Sequence, residues 1–294
     1  MSSSEANISC IVPEVSVLMA VFDTPTVYLD EAIGSILSQS FTDFEFIIID
    51  DGSGAETESR LRFWAERDPR IRLYREDKNI GLTKALNIGL KLVRGNYVAR
   101  QDADDMSDRV RLEEQLRFME RHPSIDAVGT DAILIDAAAI RAGTLEIPSD
   151  LKGLDRRNIL VHGSMFFRGV VFKLVGGYDE RMRLSQDYEL YLRMIRIHHM
   201  SISVLSKQYY FLRQHPASLS SHFIFRQLYY SVLAKHFVKN NSSQDRLGVR
   251  FYFFLIFEYF ITHRLFLGFY FRIWMRLLWK SLGKKSISKA RRVK

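Results

Sequence analysis

A single cysteine, Cys10, stands in 294 residues, so no internal disulfide can staple this chain, and the scarcity fits a reducing compartment. The start, MSSSEANISCIVPE, lacks the basic residues and apolar run of a signal peptide. Residues 1–14 read as a short disordered lead, and the NIS triplet at Asn7 as a chance match. Neither an internal repeat nor a long low-complexity linker is present. The phosphate loops G-x-G-x-x-G and GxxxxGK[ST] are both missing after the first strand-like run, which reads AVFDTPT; this argues against dinucleotide oxidoreductases and P-loop NTPases. Acidic residues are missing from one end only. From Tyr259 onward there are ten Lys/Arg and no Asp/Glu, which leaves 32 Lys/Arg against 34 Asp/Glu in the first 258 residues. The formal charge of +8 therefore belongs to the tail. That placement argues against a nucleic-acid groove in the main body and for an anionic surface met by one end of the molecule.

What is present is enough apolar residue, 47% of the chain, to bury the core of one large domain or of a domain with an appendage. From Val15 the chain alternates strand-like runs with helical patterns: VSVLMAVF, a helix from Tyr28 to Gln39, FEFIIID, a helix from Glu56 to Glu66, and IRLYRE. Continuous Val/Ile/Phe runs fit parallel strands covered on both faces, which predicts an α/β class with a doubly wound sheet. GLTKALNIGLKLVRG predicts a helix and NYVAR the next strand, followed by a helix that stops before Pro123 and a strand AVGTDAILID. A turn-rich region to about Lys152, a helix from Leu154 to Leu160, strands at GSMFFR and SISVLS, and a helix DYELYLRMIRI between them complete the main domain, residues 15–220. Residues 221–294 read as basic, aromatic helices.

Two of these strands end in acid. FIIIDDGS delivers Asp50 and Asp51, and NYVARQDADD delivers Asp102, Asp104 and Asp105. An isolated DG pair is most simply an Asx turn, but in open parallel sheets ligands bind beyond the carboxyl ends of strands, where strand order reverses. Oxygen-rich clusters suit hard cations such as Mg²⁺ or Mn²⁺, which keep waters and are completed by substrate phosphates. An acidic pair separated by one residue can give one direct ligand and one that works through water or a sugar hydroxyl.

The order of motifs resembles the inverting family 2 nucleotide-sugar glycosyltransferases of the GT-A fold. The matching segments are VSVLMAVFD, IIIDDGS, NIGLTKALNIGL, GNYVARQDADD, HGSMFFR, VGGYDERMRLSQDYELYLR and RQHPASLS, from Val15 to about Ser220. The resemblance implies a GT-A type doubly wound mixed sheet, Rossmann-like, with a C-terminal amphipathic helical region. It implies transfer of a sugar from a nucleotide-diphosphate sugar to a lipid-linked or polysaccharide acceptor, with Mn²⁺ or Mg²⁺. Phe22 would pack on the base and Asp51 accept from its ring; Asp102 would face the ribose or a metal-bound water. Asp104 would bind the metal, and His215 would add a further metal or diphosphate contact, with Arg213 and Ser218 beside it. Asp187 matches the catalytic base; by position alone it reads first as an N-cap or first-turn residue of a helix, and the preceding GGYDE motif turns the reading to the base. Gln186 stands where the family commonly has Glu, and Asp23 where Asn is frequent. Asn79 and Lys84 lie at a loop-to-helix start that either faces phosphates or provides a cap and a solvated charge; Lys84 is taken as a donor-binding candidate. His162 is an acceptor-side or structural residue without an assigned role.

The tail segment LGFYFRIWMRLLWKSLGKK places Arg272, Arg276, Lys280 and Lys284 at four-residue spacing on an otherwise apolar helix. Such a stripe suits the membrane interface, at about 1 kcal/mol per charge on anionic lipid, or is the solvated face of a packed helix. The preceding apolar stretch carries Glu258, His263 and Arg264, too many ionisable groups for a spanning helix. The expectation is a protein held peripherally on the cytoplasmic face of the membrane. The rivals are a sugar nucleotidyltransferase, whose glycine- and arginine-rich phosphate loop is absent here, and a non-catalytic nucleotide-sugar-binding or scaffold protein of the same fold.

Overall fold

A computed structural model describes residues 12–214 and 224–240. The chain divides into two compact units, Met1–Ser243 and Gln244–Lys294; the second lies wholly outside the described residues, with the basic stripe at Arg272–Lys284 inside it. His215 and Ser218 also lie outside them.

Strands β1 (Val15–Val21) and β2 (Phe44–Asp50) are apolar at nearly every position because both of their faces are covered. On one face Val17, Met19, Phe46 and Ile48 meet Leu29, Ile33 and Ile36 of α1 (Thr26–Leu37), Leu61 of α2 (Ala55–Ala65) and Leu112, Leu116 and Met119 of α4 (Arg111–Arg121). The other face carries α3 (Leu82–Leu92), which comes so close that a Cβ on Gly89 would stand 2.2 Å from Leu18 Cδ1. The two-sided covering read from the apolar runs is thus realised.

The sheet runs β3 (Ile71–Arg75), β2, β1, β4 (Tyr97–Arg100), β8 (Phe166–Arg168), β6 (Ala127–Ile135), β9 (Ile202–Arg213) and β5 (Met106–Ser107), with β7 (Arg141–Leu145) paired to β6. The first four strands are parallel, β8 is antiparallel to both β4 and β6, and β6 and β9 are again parallel. The chain steps from β1 outward to β2 and β3, then returns to place β4 on the other side of β1. This reversal opens a crevice at the carboxyl ends of β1, β2 and β4.

The structure corrects the sequence reading in several places. The turn-rich region before Lys152 contains β7. No helix spans Leu154–Leu160: a short 3-10 turn covers Lys152–Asp155, and Asn158 Oδ1 accepts the Leu160 amide at 3.1 Å. That local side-chain bond competes with helical pairing. The SISVLS strand continues to Arg213, through a register break opposite Asp131. Gly163 and Ser164 belong to a 3-10 turn before β8, and a further helix, α5 (Gly169–Val175), follows that strand. Helix α6 (Gln186–Arg196) is backed by α7 (Ile224–Asn240). Ser185 and Ser231 hydroxyls are 3.2 Å apart, and the Arg181 guanidinium lies over the Phe237 ring.

Candidate active site

The crevice is built from strand ends. Immediately after β1, Phe22 is 48% exposed. Asp23 turns the chain with φ 45° and fastens it to the end of β2: its Oδ1 accepts the Gly54 amide at 2.7 Å and its own amide donates to Ser53 Oγ. Gly52 takes φ 74°, and a Cβ there would stand 2.4 Å from the Lys78 carbonyl carbon. The 78–81 loop can cross only over glycine. Its amides at Ile80 and Gly81 both donate to the Asp51 carboxylate, at 2.7 and 2.9 Å. Burial pushes the Asp51 carboxyl up, and these two amides oppose the shift. Asp51, itself buried, therefore organises the 78–81 loop, and those two amides are spent on its carboxylate rather than open to phosphates. Lys84 is exposed on the first turn of α3. Asp50, the other acid of the pair, is buried and spent on Arg75 and the Ser53 amide.

Beyond β4 the acidic loop is wrapped around a buried glutamine. Gln101 Nε2 donates to the carbonyls of Asp102 and Asp105, at 3.0 and 2.9 Å, while its Oε1 accepts from Ser107 Oγ. The Asp102 side chain is 31% exposed and pairs with Arg100, a guanidinium that is itself buried and also donates to the Leu18 and Gln101 carbonyls. Burial and the nearby Asp104 charge push the Asp102 carboxyl up, against the pull of Arg100. Asp105 is buried and accepts the Arg213 amide at 2.7 Å, and Asp108 accepts the Val110 amide at the start of α4. Both are loop and helix-start residues. Arg213, the neighbour of His215 in the sequence, is turned inward. Its side chain is fully buried, bound to Glu31, to the Asp104 carbonyl at 2.7 Å and to the carbonyls of Asp136 and Ala137.

Helix α6 starts abruptly after a left-handed Ser185, and Asp187 lies in its first turn. The carboxylate accepts the Asn158 side-chain amide at 2.6 Å and the Tyr188 backbone amide. Burial, with the negative charge of Asp102 adding to it, raises the Asp187 carboxyl to about 6. The segment that does not become a helix is thus the strap that carries Asn158 to Asp187, held to α6 by Tyr188 Oη on the Leu154 carbonyl.

A polar chain joins the two sides. Arg100 reaches His162 Nε2 at 3.4 Å, and the same nitrogen lies 2.8 Å from Tyr178 Oη. Burial and the Arg100 charge hold the His162 imidazole well below its ordinary range, so it is neutral. Arg111, fully buried in α4, ties the layers with bonds to the Gly163 and Arg100 carbonyls, and burial lowers its guanidinium to about 10. Sequence reasoning missed Arg100, Arg111, Asn158 and Tyr178; an arginine at the end of a buried strand was the one available sign.

An open mixed sheet with carboxylates at the strand ends of a switch point, faced by a helix-borne carboxylate, is the architecture of GT-A type transferases. Residues 16–173, more than half of the chain, match the family model described as Glycosyl transferase family 2, and the chain belongs to that family. It is 32% identical over 189 residues to an uncharacterized glycosyltransferase of Methanocaldococcus jannaschii, covering 62% of this chain and 65% of the relative. It is 34% identical over 186 residues to the O-antigen biosynthesis glycosyltransferase WbnJ of Escherichia coli, covering 62% of this chain and 71% of that protein. The chain thus spans just under two thirds of the Methanocaldococcus relative's length. Among solved structures, S. aureus TarS 1-349 in complex with UDP-GlcNAc superposes with a TM-score of 0.63 at 19% identity, over 79% of this chain and 68% of that one. That likeness is one of fold.

Proposed function

We propose that the chain is an inverting glycosyltransferase that moves a sugar from a nucleotide-diphosphate sugar to a hydroxyl of a lipid-linked or polysaccharide acceptor. The observation that carries this reading is Asp187: a carboxylate raised to about 6, held by Asn158 and near enough to Asp102 to feel its charge. A base with that value is ionised at neutral pH and still able to take a proton. In a single in-line displacement the acceptor oxygen bonds to the anomeric carbon while the carbon–oxygen bond to the diphosphate breaks on the opposite face. The acceptor proton passes to Asp187. Phe22 would offer its exposed ring to the base, Asp51 and Asp102 would be donor-binding, and Lys84, exposed on the first turn of α3, would meet phosphate.

Among the described residues no group of three His, Cys, Asp or Glu forms a metal cage. The acids at 102 and 104 instead suit a hard cation that keeps waters and is completed by phosphates. Asp104 would hold Mn²⁺ or Mg²⁺, and His215, outside the described residues, is its proposed companion. When bound, the cation neutralises charge on the leaving diphosphate. WbnJ is named for O-antigen biosynthesis and TarS is solved with UDP-GlcNAc; a cell-surface glycan acceptor and a nucleotide donor of that kind are carried over as part of this proposal. Among the described residues no helix is long and apolar enough to cross a membrane, and peripheral attachment at the cytoplasmic face through the basic tail remains part of the proposal.

Thermal shift with UDP, GDP and their sugars, with and without Mn²⁺, tests the reading, because a ligand of the native state stabilises by RT ln(1 + [L]/Kd). The expected result is a shift that needs Mn²⁺. No shift with any nucleotide would count against donor binding. Asp104→Asn is expected to raise the calorimetric Kd of the bound nucleotide about tenfold in Mn²⁺ and to leave it unchanged in EDTA. Equal weakening in both media would remove Asp104 as the metal ligand.

A further inference from the structure

We propose that the Nδ1–H of His162 donates a hydrogen bond to a hydroxyl of the transferred sugar and so helps to select that sugar. This inference rests on the glycosyltransferase reading above and goes beyond it by giving a role to a residue that the motif comparison left without one.

The argument begins with a donor that cannot change its nature. An arginine Nε–H is always a donor, and that of Arg100 points at His162 Nε2, 3.4 Å away. Nε2 must therefore carry a lone pair. Tyr178 Oη, 2.8 Å from the same nitrogen, is placed to donate to it as well. With Nε2 an acceptor, the single proton of the neutral ring sits on Nδ1, and a second proton on Nε2 would face the guanidinium. The tautomer is thus set by its neighbours. Nδ1 has no hydrogen-bond partner among the described residues, yet it is not one of their sealed, unpartnered polar atoms, which are Arg111 Nε, Gln115 Oε1 and Tyr191 Oη. His162 as a residue is partly exposed.

Position then identifies the partner. His162 is coupled on one side through Arg100 to Asp102, and on the other to Tyr178, on which the charge of Asp187 acts. An in-line displacement puts the anomeric carbon between the leaving diphosphate, at the 102–104 loop, and the attacking hydroxyl, at Asp187. A group bonded into both of these sides is the one we assign to the transferred sugar. A neutral N–H suits an uncharged hydroxyl oxygen, whereas a diphosphate would call for a cation.

Two substitutions separate this role from a structural one. In His162→Asn the side-chain amide nitrogen can take the place of Nδ1 and donate, whereas in His162→Gln the longer side chain can restore an acceptor for Arg100 but offers no donor at the Nδ1 position. The readouts are calorimetric Kd values for UDP-GlcNAc against UDP and for GDP-mannose against GDP, in Mn²⁺, and the rate of donor hydrolysis without acceptor. His162→Gln is expected to weaken the nucleotide sugar about tenfold, to leave the nucleoside diphosphate within about twofold, and to lower hydrolytic kcat/KM about 10- to 100-fold. His162→Asn is expected to recover most of that loss. Equal weakening of sugar and diphosphate, a Gln variant as active as the Asn variant, or a defect that appears only when acceptor is added would each overturn the inference. If the wild-type chain neither binds nor turns over any nucleotide sugar, the glycosyltransferase reading fails and takes this inference with it. An active wild type with an unimpaired Gln variant overturns this inference alone.

Discussion

Asp187→Asn is expected to lower sugar transfer about 10²- to 10⁴-fold, the usual contribution of a positioned general base, while making the folded chain more stable at neutral pH. The two effects have one cause. Folding raises this carboxyl from its ordinary 3.8 to about 6, so the native state favours the neutral form. The stability that the neutral form contributes is complete below pH 3.8 and is lost as pH rises through 6. At pH 7.5 the wild-type chain carries the whole cost of a buried negative charge, and the asparagine variant carries none, while its carbonyl can still accept the Asn158 amide. A shift of about two units corresponds to at most about 3 kcal/mol, and partial solvation of a crevice residue reduces this to about 1–2 kcal/mol. Denaturation midpoints of the two proteins should therefore diverge between pH 4 and 7 and coincide below pH 4. In the wild type, kcat/KM should fall below about pH 6 as the base becomes protonated. Turnover by the asparagine variant at the wild-type rate would remove Asp187 as the base, and a stability difference independent of pH would remove the electrostatic cause.

The parts of this molecule that were legible in its sequence are those in which local pattern and tertiary environment agree. The uninterrupted apolar runs of β1 and β2 are buried on both faces, and the acids that follow β2 and β4 do lie at a switch point. Where a side chain overrides local propensity, the reading failed. Leu154–Leu160 has enough apolar residues for a helical turn or two, but Asn158 Oδ1 accepts the Leu160 amide and the segment becomes the strap that holds Asp187. Arg213 stands beside His215 in the sequence as a charged neighbour, and nothing local shows that its buried guanidinium anchors Glu31 and the Asp104 carbonyl. Arg100 ends a strand as an unremarked polar residue, but it holds Asp102 on one side and reaches His162 Nε2 on the other. Such roles depend on contacts across some sixty residues of chain, between β4 and the 162–164 turn, which periodicity and spacing do not encode.

That turn is the seat of the second large effect, Gly163→Ala, expected to destabilise the fold by about 3 kcal/mol and to weaken nucleotide binding with it. The requirement is for space. A Cβ at this position would stand 1.8 Å from Tyr210 Oη, 2.4 Å from Tyr210 Cζ and 2.8 Å from Asp102 Oδ2. Tyr210 is fully buried, and its hydroxyl accepts the Asp102 amide at 3.2 Å, so the ring has little room to retreat without moving the acidic loop. Behind it, Arg111 pins the Gly163 and Arg100 carbonyls, at 2.7 and 2.8 Å, which keeps the turn from moving the other way. Tyr210→Phe alone should cost about 1 kcal/mol, because the Asp102 amide loses its acceptor. Combined with Gly163→Ala, however, it deletes the atom nearest the new methyl group, and the double variant should be more stable than the alanine variant alone. A coupling energy of about 1 kcal/mol or more in a denaturant double-mutant cycle is the expected signature of direct contact. Additive costs would mean that the alanine is accommodated by movement of the turn, and a nucleotide affinity untouched by Gly163→Ala would mean that the turn and the Asp102 loop move independently.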